Sequence, residues 1–246
     1  MSNLNPNSQY TFLVQAVNDP GYSPYTSYAY LNQSFSFDGS SHLSLTTNTN
    51  LPLGNDSYTI EAWIKPTVYG GLGITGWGGY SDVNTTNAFR LYGFGLVNYW
   101  YANDLVAAVG ELIDGNWHHV VAQFDGTIRN IYVDGILRGQ DNPVSNGVSI
   151  YNNFTVGTTN TNEFFTGNIT NLRIVKGVAV YTANFTVPTS PLTATQPAGT
   201  NINAITAGQT ALLLNVYPTN PYLDSSSYAY TMTPNGTPTI SPDSPF

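Results

Sequence analysis

Short runs in which apolar or β-branched residues alternate with polar ones recur along this chain, each closed by Gly, Pro, Asn or Asp. "SFSF" precedes Asp38-Gly39, "YTIEAWIKP" starts at Tyr58, "FRLYGFGL" at Phe89, "WHHVVAQF" at Trp117, "RNIYVDGILRG" at Arg129 and "NITNLRIVKG" at Asn168. A period of two over four to nine residues fits strands, and turn residues at this spacing fit a sandwich. The dipeptide Asp134-Gly135 tolerates the positive φ angles of a two-residue turn, which predicts a hairpin between Ile131–Val133 and Ile136–Arg138. In "DLVAAVGELID" the residues Leu105, Ala108, Val109 and Leu112 fall at helical spacing, but Gly110 and the flanking β runs favour a strand.

The composition agrees. Apolar residues make up 41% of the 246 and aromatic ones 13%, enough for a large core, while only 8% are charged. Polarity comes from Asn, Thr and Ser, which suit turns and strand surfaces. A net charge of -8 repels nucleic-acid phosphates and anionic membranes, so neither nucleic acid nor membrane insertion is expected. With no cysteine, disulfides and thiolate metal sites are excluded. "MSNLNPNSQY" lacks a basic segment and a long apolar run, so no signal peptide is visible, and no stretch is apolar enough to span a bilayer. Asn-x-Ser/Thr triplets at Asn32, Asn55, Asn84, Asn153, Asn168, Asn184 and Asn235 are what a chain this rich in Asn and Thr produces by chance.

Several motifs suggest chemistry and are tested against it. His118 and His119 are adjacent, so on a strand they point to opposite faces and cannot chelate one ion, and His42 is remote. One ring is expected inward. Gly71-Leu-Gly73-Ile-Thr-Gly76 matches the dinucleotide pattern, yet "WGGYSDVNTTN" follows it with no helical period to hold pyrophosphate, and a flexible loop is expected. Glycoside hydrolysis needs two carboxyls placed about 5 to 9 Å apart. Glu61, Glu111 and Glu163 are the only glutamates and form no close cluster, and there is no G-x-S-x-G elbow. No catalytic residue is assigned. No cofactor is required; calcium is kept open, with Asp82 and Asn84 as nominal ligands in a turn that lacks the rest of an EF-hand.

Aromatic residues crowd "GWGGY" and "NYWYAND". Flat rings beside amides suit sugars, since the ring packs on C–H faces and the amide takes hydroxyls. Trp100 is assigned to the core. Trp77 beside glycines, with Tyr80 and Asn98, is taken as the exposed ligand-binding set.

The ends echo each other. "FLVQAVNDPGYSPYTSYAY", ending at Tyr30, aligns without gaps to "LLLNVYPTNPYLDSSSYAY", ending at Tyr230. Two similar strands in one sandwich, or a linking element at each end, would account for it.

Taken in order, "SFSFDGSSHLSL", "YTIEAWIKP", "GNWHHVVAQFDG", "IRNIYVDGILRG", "FTVGTTN" and "FFTGNITNLRIVKGVAVYTANFTVP" resemble the laminin-G-like, concanavalin A-like lectin/glucanase domains over about Ser34 to Leu192. The tail from Ala211 resembles the segment following such domains in phage virion and bacterial surface proteins. The resemblance implies an all-β antiparallel jelly-roll of two sheets, one concave, in proteins that bind glycans or other proteins. The acid pair of the related laminarinase-type hydrolases is missing. The reading is one domain over 1–246, with strands or extensions at 1–33 and 193–246. It is a non-enzymatic glycan-recognition or attachment module at a virion or extracellular surface, homo-oligomeric, with carbohydrate and other virion or surface proteins as partners. The alternative is a purely structural virion subunit, a capsid decoration or fibre making protein–protein contacts; a glycoside hydrolase is third.

Overall fold

The computed structural model describes residues 33–246 apart from 47–48, 111, 144, 146–147, 149–153 and 161. Its strands, in chain order, are β1 (Ser34–Asp38), β2 (His42–Leu45), β3 (Tyr58–Pro66), β4 (Leu72–Gly78), β5 (Thr86–Tyr92), β6 (Gly95–Tyr99), β7 (Leu105–Ala108), β8 (His118–Phe124) and β9 (Arg129–Val133). There follow β10 (Ile136–Asp141), β11 (Phe154–Val156), β12 (Thr158–Thr159), β13 (Glu163–Phe164), β14 (Thr166–Lys176), β15 (Thr210–Leu214), β16 (Thr233–Asn235) and β17 (Thr239–Ser241).

The strands form a sandwich of two antiparallel sheets. The eight-stranded sheet runs β10-β9-β8-β3-β14-β1-β17, with β15 also on β14, and the seven-stranded sheet runs β16-β2-β11-β4-β5-β6-β7. Alternation sorts side chains between the layers. Along β3, Tyr58, Ile60, Ala62 and Ile64 enter the core between the sheets, where they meet Trp77, Phe89, Leu91 and Leu96 from β4, β5 and β6. Fully burying a side chain of this size contributes about 1.5–3 kcal/mol, so this layer dominates the fold.

The outer face of the eight-stranded sheet has its own smaller core. Val121, Tyr132 and Val175 point away from the sandwich and are covered by Val180, Tyr181, Phe185 and Ile205 from the segment between β14 and β15. Tyr181 and Phe185 stack at 3.6 Å. The C-terminal region is woven into both layers, since β16 pairs with β2 and β17 with β1. The first copy of the terminal echo lies outside the described residues. The second begins in β15, a fully buried strand.

The hairpin forms as expected: Asp134 and Gly135 take φ of 50° and 76°, and Ile136 pairs with Val133. Leu105–Ala108 is a strand with alternate residues exposed. His119 is buried on the outer face opposite Trp63, and His118 sits at the strand end, half-buried. The expectation of a flexible loop at Gly71–Gly76 is wrong. Leu72–Gly78 is the fully buried strand β4, in the interior of its sheet.

Candidate functional site

The glycines in and just before β4 are there because other groups lie on the backbone. A Cβ at Gly71 would stand 3.1 Å from Glu163 Oε1, one at Gly73 would collide with the Thr158–Thr159 backbone, and one at Gly76 would collide with the Tyr80 hydroxyl and Ala88. The motif is therefore a cleared lane on the outer face of the seven-stranded sheet. The β12–β13 ribbon and the Tyr80 side chain occupy it.

Beside this lane stands Arg90. It pairs with Gly73 on β4 and Val97 on β6; Tyr92 follows two residues on along β5, and Tyr99 stands diagonally across on β6, opposite Ala88. Its guanidinium carbon lies 4.2 Å from the Tyr99 ring centroid and 5.2 Å from that of Tyr92. Such contacts hold a planar cation flat against a ring. Arg90 Nη1 donates to Glu163, which also accepts from Thr159 Oγ1. Arg90 Nε is buried without a hydrogen-bond partner among the described residues. Burial pushes the Tyr80 hydroxyl well above its ordinary pKa, reinforced by the Glu163 charge and opposed by the Asn160 backbone. Despite that neighbour, the hydroxyl makes no hydrogen bond of good geometry. Two unsatisfied donors thus flank an ion pair framed by tyrosines. Tyr92 is 61% exposed, and Tyr101 meets Tyr99 edge-on at 5.9 Å, extending the aromatic row.

Loops at one end are pinned in unusual backbone. Asn84, Tyr101 and Ala102 all have positive φ (65°, 60° and 56°), which L-residues adopt at a cost of roughly 1–2 kcal/mol each. Asn84 N donates to Tyr101 O at 3.1 Å, and Asn103 Nδ2 donates to Asn84 Oδ1 at 2.7 Å. The two loops are tied together next to the tyrosine row.

Of the three residues assigned to ligand binding, only Tyr80 belongs to this face. Trp77 is fully buried, with Nε1 donating to Pro52 O at 3.1 Å and its ring against Phe154. It sits on the core face of an interior strand. Asn98 is also fully buried between the sheets. It accepts from the Tyr58 hydroxyl at 2.6 Å and donates to Asn87 Oδ1 at 3.1 Å. Trp100 joins the same network through Nε1 to the Tyr58 hydroxyl, with Arg129 4.2 Å above its ring. The nominal calcium ligands are otherwise engaged: Asn84 holds Asn103, and Asp82 Oδ2 accepts from Ser81 Oγ. Among the described residues no three His, Asp or Glu side chains are gathered as a metal would need.

The other carboxylate of interest is on the opposite sheet. Glu61 is fully buried, 2.6 Å from Arg173 Nη2, with the Tyr181 hydroxyl donating at 2.6 Å; His119 Nε2 stands 3.2 Å away without hydrogen-bond geometry. Burial pushes its carboxyl up, but Arg173, His119 and Tyr181 outweigh that and hold it at about 2. Glu111 lies outside the described residues.

Residues 37–180 match the family model described as the concanavalin A-like lectin/glucanases superfamily, Laminin_G_3. The chain belongs to that superfamily. Among solved structures, this lectin-type domain is similar to a Bacteroides ovatus protein provisionally described as carbohydrate-binding, with a TM-score of 0.55 and 15% identity over 85% of this chain and 59% of that one. It thus spans about three-fifths of that protein, and at this identity the likeness is one of fold. Mouse laminin α1 domains LG4-5 align at 0.45 and 17% identity over 58% of this chain and 40% of theirs. A heptameric SAP-like pentraxin from Limulus polyphemus aligns at 0.44 and 17% over 58% and 75%. Comparison with curated protein sequences gave no match.

Proposed function

We propose that the outer face of the seven-stranded sheet binds a glycan, without turnover, through Tyr92, Arg90, Tyr99, Tyr80 and Glu163. The observation that carries this reading is the Arg90 guanidinium, held by two tyrosine rings against Glu163 beside the exposed Tyr92. The rings offer surface for C–H packing. The exposed Tyr92 ring and the partly exposed Glu163 carboxylate suit a sugar's C–H face and its hydroxyls, which both donate and accept. Pairing with Glu163 neutralises the cation, and the chain's charge of -8 opposes polyanions, which favours an uncharged glycan. The B. ovatus protein's description as carbohydrate-binding is consistent with this.

The reading is of a binding module, because Glu163 is committed to Arg90 and Thr159 while Glu61 is buried on the other sheet. An acid pair flanking one glycosidic bond is not assembled from these two. An attachment role at a virion or cell surface extends the proposal and is supported by the resemblance of the tail. The rival, a structural subunit, is favoured by one observation: Tyr69 and Phe94 meet at 5.1 Å and are 51% and 67% exposed, an apolar corner suited to protein contact.

A glycan array followed by calorimetry on the best hit tests the proposal. Tyr92→Ala and Arg90→Ala should each weaken binding at least tenfold. Affinity unchanged in both, or no glycan bound, would reject it.

A further inference from the structure

The outer face of the eight-stranded sheet carries a second built surface that the glycan reading does not use. Outward along β3 point Thr59, Glu61, Trp63 and Lys65. Thr59 and Glu61 are bonded to the segment between β14 and β15, through Val178 O and Tyr181. Trp63 and Lys65 are met instead by the residues after β17, which turn back across the sheet.

That segment is held by side-chain chemistry. Ser34 Oγ donates to Asp243 O at 2.7 Å, Lys65 Nζ to Asp243 Oδ2 at 2.8 Å and Trp117 Nε1 to Asp243 Oδ1 at 3.0 Å. Three residues on, the Phe246 ring meets Trp63 edge-on at 5.6 Å. Trp63, 9% exposed, is backed by the His119 ring at 5.3 Å, and its Nε1 has no partner among the described residues. One ammonium, two indoles and a hydroxyl therefore cradle a carboxylate followed by an aromatic ring.

The contact is lightly held. Residues 243–246 are only half-buried, and among the described residues 242–246 make no backbone–backbone hydrogen bond. An ion pair with side chains 26% and 40% exposed is weak, and so is one edge-on ring contact. The strand leading into it, β17, is a three-residue strand at the sheet edge, where a neighbouring molecule can approach. Five extended residues reach about 17 Å from that edge.

We propose that Pro242–Phe246 is a releasable strap, and that the Lys65–Trp117–Trp63 cradle beneath it docks the same Asp-x-x-Phe segment from a second copy of this chain. The partner is defined by the segment already seated there: its carboxylate complements Lys65, one of only six basic residues in an acidic chain. Exchange of the strap between copies would join two molecules along the β17 edge.

The test uses full-length chains. Asp243→Ala combined with Phe246→Ala empties the cradle, and the probe is a fluorescein-labelled synthetic peptide of residues 239–246, followed by anisotropy. The double variant should bind the peptide at least tenfold more tightly than the unaltered chain, whose own strap competes, and adding Lys65→Ala should reverse the gain. Mixing the double variant with a Lys65→Ala chain, whose strap is intact, should give a mixed dimer in sedimentation that neither forms alone. A folded double variant that ignores the peptide, or binds it regardless of Lys65, overturns the proposal. Peptide binding without a mixed dimer assigns the cradle to another partner and overturns exchange between copies. If neither the double variant nor Asp243→Asn folds, the strap is a fixed part of the core and the proposal fails. Glycan binding, on the other sheet, should be unchanged in every folded variant.

Discussion

Replacing Arg173 with methionine removes the cation that makes burial of Glu61 tolerable. Arg173 has no exposed surface; it bonds Glu61 through Nε at 2.8 Å and Nη2 at 2.6 Å, and reaches Thr193 O and Gln196 Oε1 at 2.9 Å each. The variant leaves a fully buried carboxylate with Tyr181 and His119 as its remaining partners, and two acceptors in the covering segment lose their donor. Breaking such a pair from one side costs about 3–5 kcal/mol. At about 2–4 °C per kcal/mol for a chain of this size, the melting temperature should fall by roughly 6–20 °C. Thermal and urea unfolding followed by circular dichroism would measure it. The sign with pH is fixed: the folded Glu61 pKa, about 2, lies below the ordinary 4.5, so its stabilisation is present above 4.5 and is lost as pH falls towards 2. The deficit of the variant should therefore shrink on acidification. Glu61→Leu added to Arg173→Met should recover most of the loss, because the pair replaced together leaves no buried charge. A loss under about 1 kcal/mol in Arg173→Met, constant with pH, would refute the reasoning.

Tyr80→Phe removes a buried hydroxyl without a well-formed hydrogen bond, so stability in urea unfolding should stay within about 1 kcal/mol of the parent, and glycan affinity, read by calorimetry, should be unchanged because that oxygen has no accessible surface. Trp77→Ala should cost about 3–5 kcal/mol in urea unfolding through the cavity it opens, and a variant that stayed as stable as the parent would contradict its burial. His118 lies between Asp134 at 2.8 Å and Asp114 at 3.1 Å. Bonding to Asp134 raises its pKa despite partial burial, with Asp114 assisting. Its contribution is then complete below the ordinary value of 6.5 and lost as pH rises through the higher folded value. His118→Asn should lose stability at mildly acid pH and approach the parent in mild alkali, by no more than about 1 kcal/mol because both aspartates are exposed.

What was legible beforehand follows from what periodicity encodes. Alternation in "YTIEAWIKP" and "WHHVVAQF" identifies strands and pairs of faces, and Asp134-Gly135 specifies its own turn through local backbone geometry. Periodicity does not say which face is the core when both are apolar or aromatic, as around Asn98 and Tyr99. There Asn98 points into the core, against the expectation of an exposed amide, and Tyr99 lies against Arg90 on the outer face. Glycines beside Trp77 suggest a mobile, exposed loop, whereas spaced glycines on a strand equally mark backbone that something else must touch, and Trp77 lies in the core. Arg90 was visible as a rare cation inside "FRLYGFGL". Its partner Glu163 is 73 residues away on another ribbon, and no local signal connects the two.

Among the described residues, the eight-stranded sheet is wrapped on its outer side by two stretches of its own chain, while the other sheet ends in β7, whose alternate side chains reach solvent, with Tyr92 exposed at the end of β5. The molecule is consequently sided, like a shield with a grip behind and a blazon in front. Anchoring it from the wrapped back would leave every copy in an array facing the same way, so that weak contacts made at the front could add up across many neighbours.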